Sequence, residues 1–281
     1  MRRPAILLLL FVIALAVPLV VSSNYYLRLV NLALIFGLLA VSLNVVLGYA
    51  GQLSLGHAGL FGIGAYVTAL MTAGHSGTLF WPAFVLSGLV TGAVGLLIGF
   101  PALRLKGHYL ALATLGFGEI MRNLFFNWRE VTHGMDIPPP SLGFFAFTGD
   151  TRFYYLGLLM LAVAMLLVHR LERSKYGRML AAIRDAELAA GVVGVNVPRL
   201  KVTAFFISAV LAGCAGSLYA HLTSFISPDV FVFDVSAQVL SMVLIGGIGT
   251  TWGPVLGAVV LTFLPEMLRV SKSYYQLIYG A

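Results

Sequence analysis

The chain has 281 residues, 60% of them apolar or aromatic and only 10% charged, with a mean hydropathy of +0.97. A soluble domain holds about 45–50% apolar and about 25% charged residues, so this chain cannot hide its apolar surface in one water-soluble core. The composition argues against a soluble enzyme, a disordered tail and a nucleic-acid-binding module, and for an all-α polytopic membrane protein. The formal charge of +7, from 17 Lys and Arg against 10 Asp and Glu, falls mostly between apolar runs, where it sets orientation.

At the N-terminus, Arg2 and Arg3 precede an apolar run over 5–21. Its length is at the low end for a membrane span and the long end for a signal peptide. It reads as a retained first helix with the basic pair in the cytoplasm. Further spans are expected at 29–47, 58–73, 81–100, 108–126, 153–170 and 202–222, then a broken stretch over 236–268, for eight to nine crossings in one transmembrane domain, 1–281. Alternation from an inner N-terminus puts 1–4, 48–57, 101–107 and 171–201 inside. Those stretches and their edges hold Arg2, Arg3, Arg104, Lys106, Arg170, Arg173, Lys175, Arg178, Arg184, Arg199 and Lys201. The outer segments hold only Arg28, Arg122, Arg129 and Arg152, which fits the positive-inside rule.

Two loops are long. The outer one, 127–152, carries Pro138, Pro139 and Pro140 with several Phe and reads as a cap without a helix of its own. The inner one, 171–201, contains a helix-compatible polar stretch over 176–195, with Gly191 and Gly194 as its stop and Pro198 beyond.

Glycine-rich segments interrupt the apolar runs twice, over Gly48–Gly59 and over Gly246–Pro254. A shift of 198 places lays Gly48, Gly51 and Gly59 over Gly246, Gly249 and Gly257. Paired glycine-broken segments point to a transport pathway, because irregular backbone at membrane depth must be covered by protein or line a cavity. Gly51, Gln52, Ser54 and His57 are therefore candidate pathway residues in the first break. The pairs Gly88/Gly92, Gly95/Gly99 and Gly253/Gly257 have GxxxG spacing and read as close helix packing. Glu119 is the one carboxylate well inside an expected span and so another pathway candidate, although Arg122, three residues on, can pair with it. His108 and His221 lie near span ends and read as interfacial. Cys214, the one cysteine, reads as a small packing residue and excludes an intrachain disulfide.

Enzyme motifs are missing. The sequence has no GxxxxGK[ST], no HExxH and no GxSxG, and the segment from Gly247 to Trp252 fails as GxGxxG at its last position. No catalytic residue and no metal site is expected.

Four segments in order are recognisable. Gly48–Tyr66 (GYAGQLSLGHAGLFGIGAY) resembles the signature segment of branched-chain amino acid ABC transporter permeases. Leu105–Glu119 (LKGHYLALATLGFGE) resembles the LivM-type member as against its LivH-type partner. Ala181–Glu187 (AAIRDAE), with Gly191, Gly194 and Lys201–Phe205, resembles the cytoplasmic loop of that family, and Ile245–Pro254 (IGGIGTTWGP) its late glycine motif.

The resemblance implies an ABC importer permease fold within a five-part importer in the bacterial inner membrane. Two unlike permease chains would form the pathway, and two ATP-binding cassette subunits would hold ATP and Mg, leaving no cofactor on this chain. An extracytoplasmic binding protein would deliver leucine, isoleucine or valine. It also implies that the helix in loop 171–201 docks on an ATPase, with Arg184, Asp185, Glu187, Gly191 and Gly194 at or beside the contact. No residue reads out a branched side chain, so a urea or amide importer is an alternative. A self-sufficient channel or ion-coupled carrier is a further one. Family members continue past Tyr279-Gly280 into another apolar helix; this chain stops at Ala281, as a truncated form or one without that span.

Overall fold

The computed structural model describes residues 15–18, 23–75, 77–102, 105, 107–128, 137–141, 147 and 149–279, with side chains omitted for 101–102 and 268–279. Most of the expected first span, Arg2, Arg3, Arg104, Lys106 and Arg129 lie outside these residues. Among the described residues the protein is helical, with no strand.

The helices are α1 (Asn24–Asn44), α2 (His57–Thr72), α3 (Phe80–Ala102), α4 (His108–Asn127), α5 (Asp150–Arg173), α6 (Lys175–Val192), α7 (Val197–Thr223), α8 (Phe233–Gly246) and α9 (Gly253–Tyr279). Runs of Leu, Ala, Val and Ile in hydrocarbon leave the backbone no partner but itself, which selects the helix. Among the described residues five segments are long and apolar enough to cross a membrane: Asn24–Tyr49, Gly77–Phe100, Asp150–Arg173, Val197–Thr223 and Pro228–Gly246. His57–Thr72 and Gly253–Met267 are apolar but shorter. α4, at 20 residues, has the length but is not apolar enough. The expected eight to nine crossings are thus reached only by adding these three to the five. The protein is a multi-pass helical membrane protein.

α7 is the axle of the bundle. Asn196 caps its start, with Oδ1 accepting from Arg199 N at 3.1 Å, and Pro198 sits in its first turn, where a missing N–H costs nothing. Its buried face is built of small residues, among them Ala204, Ser208, Ala212, Gly213, Gly216 and Ala220. Small side chains let backbones approach closely, which is how helices associate where no hydrophobic drive separates lipid from protein. α3 answers with Gly88, Gly92, Gly95 and Gly99, each facing α7 at Cys214, Val210, Ala209 or Val202. The GxxxG pairs of the sequence are packing seams, and Cys214 fills one of them. α2 meets the same axle, where Gly64 lies on Gly213 and Gly216 on Phe61 with no room for a Cβ.

Hydrogen bonds place the helix ends. At one end of the bundle Arg28 Nη2 donates to Leu222 O at 3.3 Å and Asn31 Nδ2 to Asp150 O at 3.0 Å. The proline-rich segment caps this end: Ile137 N donates to Ser224 O, Ser141 N to Gly77 O and His221 Nδ1 to Pro138 O. Phe61, Tyr66, Phe125, Tyr219 and Phe231 stack below it with ring centroids 4.4–6.4 Å apart. The opposite end gathers Arg170, Arg173, Lys175, Arg178, Arg184, Arg199 and Lys201 around α6. This is the charge asymmetry expected from the sequence.

Candidate functional site

The two glycine breaks and α6 meet at the basic end. α1 passes into a π-helical turn, Val45–Tyr49, then into irregular backbone, and helix resumes at His57. Such an extra residue per turn recurs at functional sites. The break lies within the bundle: Gly56 presses on Thr114 O, and Leu55 N donates to Thr114 Oγ1 at 2.9 Å. Thr114 is six residues into α4, or about 9 Å along its axis. The second break, over 247–252, turns α8 into α9 through two left-handed glycines, Gly247 and Gly249.

Asn44 fastens one break to the other. Its Oδ1 accepts from Gly249 N at 2.8 Å, and its Nδ2 donates to Thr250 O at 2.9 Å. A Cβ on Gly48 would lie 2.6 Å from Gly249 N and against the Asn44 side chain, so only glycine fits there. Arg184 reaches in from α6, with Nη1 donating to Gly48 O at 2.9 Å, and its Cα and Cβ pack on Gly51. Gly51 itself takes φ +67°. Glu172, at the end of α5, accepts from Thr251 Oγ1 at 2.6 Å and Tyr49 Oη at 3.5 Å, touching both breaks again. The sequence reading missed Asn44, Glu172 and Thr251. A polar residue inside an otherwise apolar run, as Asn44 is, was the available signal that it has a partner, though not which one.

The other candidates of the first break point inward. Gln52 is buried and donates to Ala50 O at 3.2 Å. Ser54 Oγ lies 3.0 Å from His57 Nδ1, and His57 Nε2 lies 2.9 Å from Ser208 Oγ. Ser208 spends its own proton on Ser42 O at 2.7 Å, so its oxygen must accept from the ring. A neutral His57 then carries its proton on Nε2 and accepts from Ser54, giving a directed chain from the loop through α2 and α7 to α1. Ser236 Oγ on α8 accepts from Ala58 N at 2.9 Å. These groups tie the break to four helices. Glu119 stands apart from them on α4, with Arg122 Nε 2.9 Å from its Oε2 and both side chains over a third exposed.

α6 lies across this end with two unlike faces. Ser174 caps it by accepting from Gly177 N, and Gly194, at φ +88°, ends the turn beyond it, close to the expected stop. On the bundle side Glu187 Oε1 meets Lys201 Nζ at 2.8 Å, and Lys201 is 1% exposed. A buried ammonium needs such a partner. Leu188 and Gly191, both exposed, line a small cavity beside Glu187 and Lys201. On the other side Asp185, Val192, Val193 and Gly194 are exposed, Val192 at 88%. Arg184 and Glu187 tie α6 to the bundle. Asp185, which also meets Arg184 Nε at 3.0 Å, and Gly194 lie on its free face, with Gly191 at the edge of that face. Among the described residues no cluster of His, Cys, Asp or Glu could hold a metal ion.

Residues 25–281 match the family described as the branched-chain amino acid transport system permease component. The chain belongs to that family. It is 38% identical over 306 aligned residues to the high-affinity branched-chain amino acid transport system permease protein LivM of Salmonella typhimurium, covering 99% of this chain and 72% of that one. The LivH permease protein of the same organism is 27% identical over 83% of this chain and 81% of its own length. The ribose import permease protein RbsC of Haemophilus influenzae is 26% identical over 98% of this chain and 87% of its own. No solved structure matches. The permease is a transport protein, and the motifs that carried the sequence resemblance are the ones that converge at its basic end.

Proposed function

We propose that this permease is a membrane-spanning subunit of an ATP-driven importer of branched-chain or related neutral amino acids. The observation that carries the reading is its 38% identity, over nearly the whole chain, to a branched-chain amino acid permease, against 26% to a ribose permease. The architecture supports it: a surface helix, α6, is bonded to the first membrane break through Arg184, and α5, which leads into it, bonds both breaks through Glu172. The assembly pairs this chain with a second permease, two cytoplasmic ATPases that hold ATP and Mg, and an extracytoplasmic binding protein. The chain is one transmembrane domain in the bacterial inner membrane. Its described helices from Asn24 onward make eight crossings, and the basic end together with the N-terminus faces the cytoplasm, following the positive-inside rule.

In this reading α6, with the flanking loop 171–201, docks on an ATPase through its free face. Leu188, Val192 and Val193 supply the apolar contact, with Asp185 beside them and Gly191 and Gly194 allowing close approach. Arg184 and Glu187, engaged on the other side with Gly48 O and Lys201, carry displacement of α6 into the bundle. The first break, with Gly51, Gln52, Ser54 and His57, moves as a pinned segment beside the pathway.

The test is uptake of radiolabelled leucine into proteoliposomes holding this chain, its second permease, the ATPases and the binding protein. Uptake that requires ATP and disappears in vesicles lacking only this chain is the expected result. Leucine flux through this chain alone without ATP would overturn the importer reading in favour of a channel.

A further inference from the structure

α4 is the helix whose length suits a membrane span and whose composition does not. Its two sides explain why. One side, with Phe117, Met121, Leu124 and Trp128, closes an apolar groove of about 600 Å³ against Val67 of α2 and Leu97 of α3. The opposite side carries a line at three- and four-residue spacing: Tyr109, Leu112, Gly116, Glu119, Asn123 and Asn127. Tyr109 is 73% and Leu112 64% exposed, a Cβ on Gly116 would meet nothing within 4 Å, and Asn123 and Asn127 are exposed. Among the described residues nothing covers that line.

Depth decides what can lie against it. At 1.5 Å per residue α4 is about 30 Å long, and Glu119 sits about 17 Å from its start, near the middle of a bilayer's hydrocarbon core. A charged group facing lipid there is costly, so such groups face a bundle interior or a water-filled cavity. Glu119 and Arg122 are each more than a third exposed, and two amides continue the line toward the outer end. Exposed apolar residues, such as Leu89 on α3 at 54% and Leu112 and Ile120 on α4 at 64% each, suit hydrocarbon; Glu119, Arg122 and the two asparagines do not.

We propose that the line Gly116–Glu119–Asn123–Asn127 is this chain's wall of the aqueous translocation pathway, facing the second permease across water, and that the Glu119–Arg122 pair meets the opposite charges of a zwitterionic solute. The proposal rests on the import reading above and sharpens it. The pair gives an ammonium a carboxylate and a carboxylate a guanidinium, while its own neutrality keeps the solute from being trapped. The pathway then runs along α4, and the buried polar chain of the first break lies outside it.

The experiment uses the assembled transporter with Cys214→Ser as background and a charged, membrane-impermeant methanethiosulfonate as probe. Gly116→Cys and Asn123→Cys should label about tenfold faster than Leu89→Cys, because only a thiol in water ionises and reacts. Labelling should also block leucine uptake. Rates equal to that of Leu89→Cys in assembled complex would overturn the pathway wall. Labelling reads the wall even if the wild type takes up no leucine, so failure of the import reading is seen separately. Removing both charges in Glu119→Gln/Arg122→Gln should slow uptake about tenfold, or about 1.4 kcal/mol, with labelling of Gly116→Cys kept. Unchanged uptake would overturn the role given to the pair.

Discussion

At a shift of 198 residues Gly51 overlies Gly249, and the two take the same left-handed backbone, φ +67° and φ +73°. Beyond that their breaks part company. The first leads into α2, almost wholly buried, and is held by side-chain hydrogen bonds from Ser54, His57, Ser208, Ser236 and Thr114. The second leads into α9, whose Val259, Val260 and Leu264 are exposed. It is held by close glycine backbone, with Gly246 against Gly253 and Gly257 against Met242 O, and by side-chain bonds of Asn44, Glu172 and Thr250 on its bundle side. A segment packed on all sides can be fixed by polar side chains all round because protein supplies their partners. One with a lipid-facing helix cannot place such groups outward, so its polar bonds lie on the bundle side and glycine contact supplies the rest. Where the two meet, one residue, Asn44, bonds the second break from the first.

Five substitutions press on this difference. Gly48→Ala should have the largest effect, about 3 kcal/mol lower stability in detergent thermal unfolding, since the added methyl must displace Asn44 or Gly249. Wild-type stability would mean that the breaks are not in contact. Asn44→Leu keeps the branched shape but removes both bonds to the second break; about 2 kcal/mol is expected, with ATP-dependent uptake falling further than stability does. Next, Gly249→Ala and Gly51→Ala should each cost about 1–2 kcal/mol, the ordinary strain of a left-handed alanine, plus a clash with Arg184, whose Nη1 would lie 2.9 Å from the Cβ at 249 and whose Cγ 3.0 Å from the Cβ at 51. Wild-type stability of either variant would deny Arg184 its place beside that break. The smallest effect, about 0.6 kcal/mol, is expected from Ser236→Ala, one neutral bond between buried helices, in the same unfolding assay.

Docking of α6 offers a sharper contrast. Leu188→Asp should reduce co-purification of the ATPase about tenfold while leaving unfolding unchanged, because that side chain is 79% exposed. Lys201→Met should instead lower stability by about 3 kcal/mol through the stranded Glu187 carboxylate. If both variants lost docking without losing stability, the two-faced reading of α6 would fail.

Composition and period alone determined the class of protein, the helices, the charged end and the two breaks, because hydrocarbon imposes one rule on every residue that enters it. The GxxxG seams were legible for the same reason: spacing on a helix is local. What the sequence could not say is which polar residue meets which. Gln52, Ser54 and His57 read as pathway groups because buried and water-lined polar residues look alike in a string; Gln52 turns back on Ala50 O within the break, and the Ser208 partner of His57 appears only when α7 packs beside it. Glu187 reads in the string as a charge at or beside a docking contact, and its pairing with Lys201, 14 residues later at 2.8 Å, is seen only in the fold. Asn44 joins residues over two hundred positions away, and no local pattern marks that bond. Local physics wrote the helices; the positions of their polar atoms relative to one another exist only once the bundle has closed.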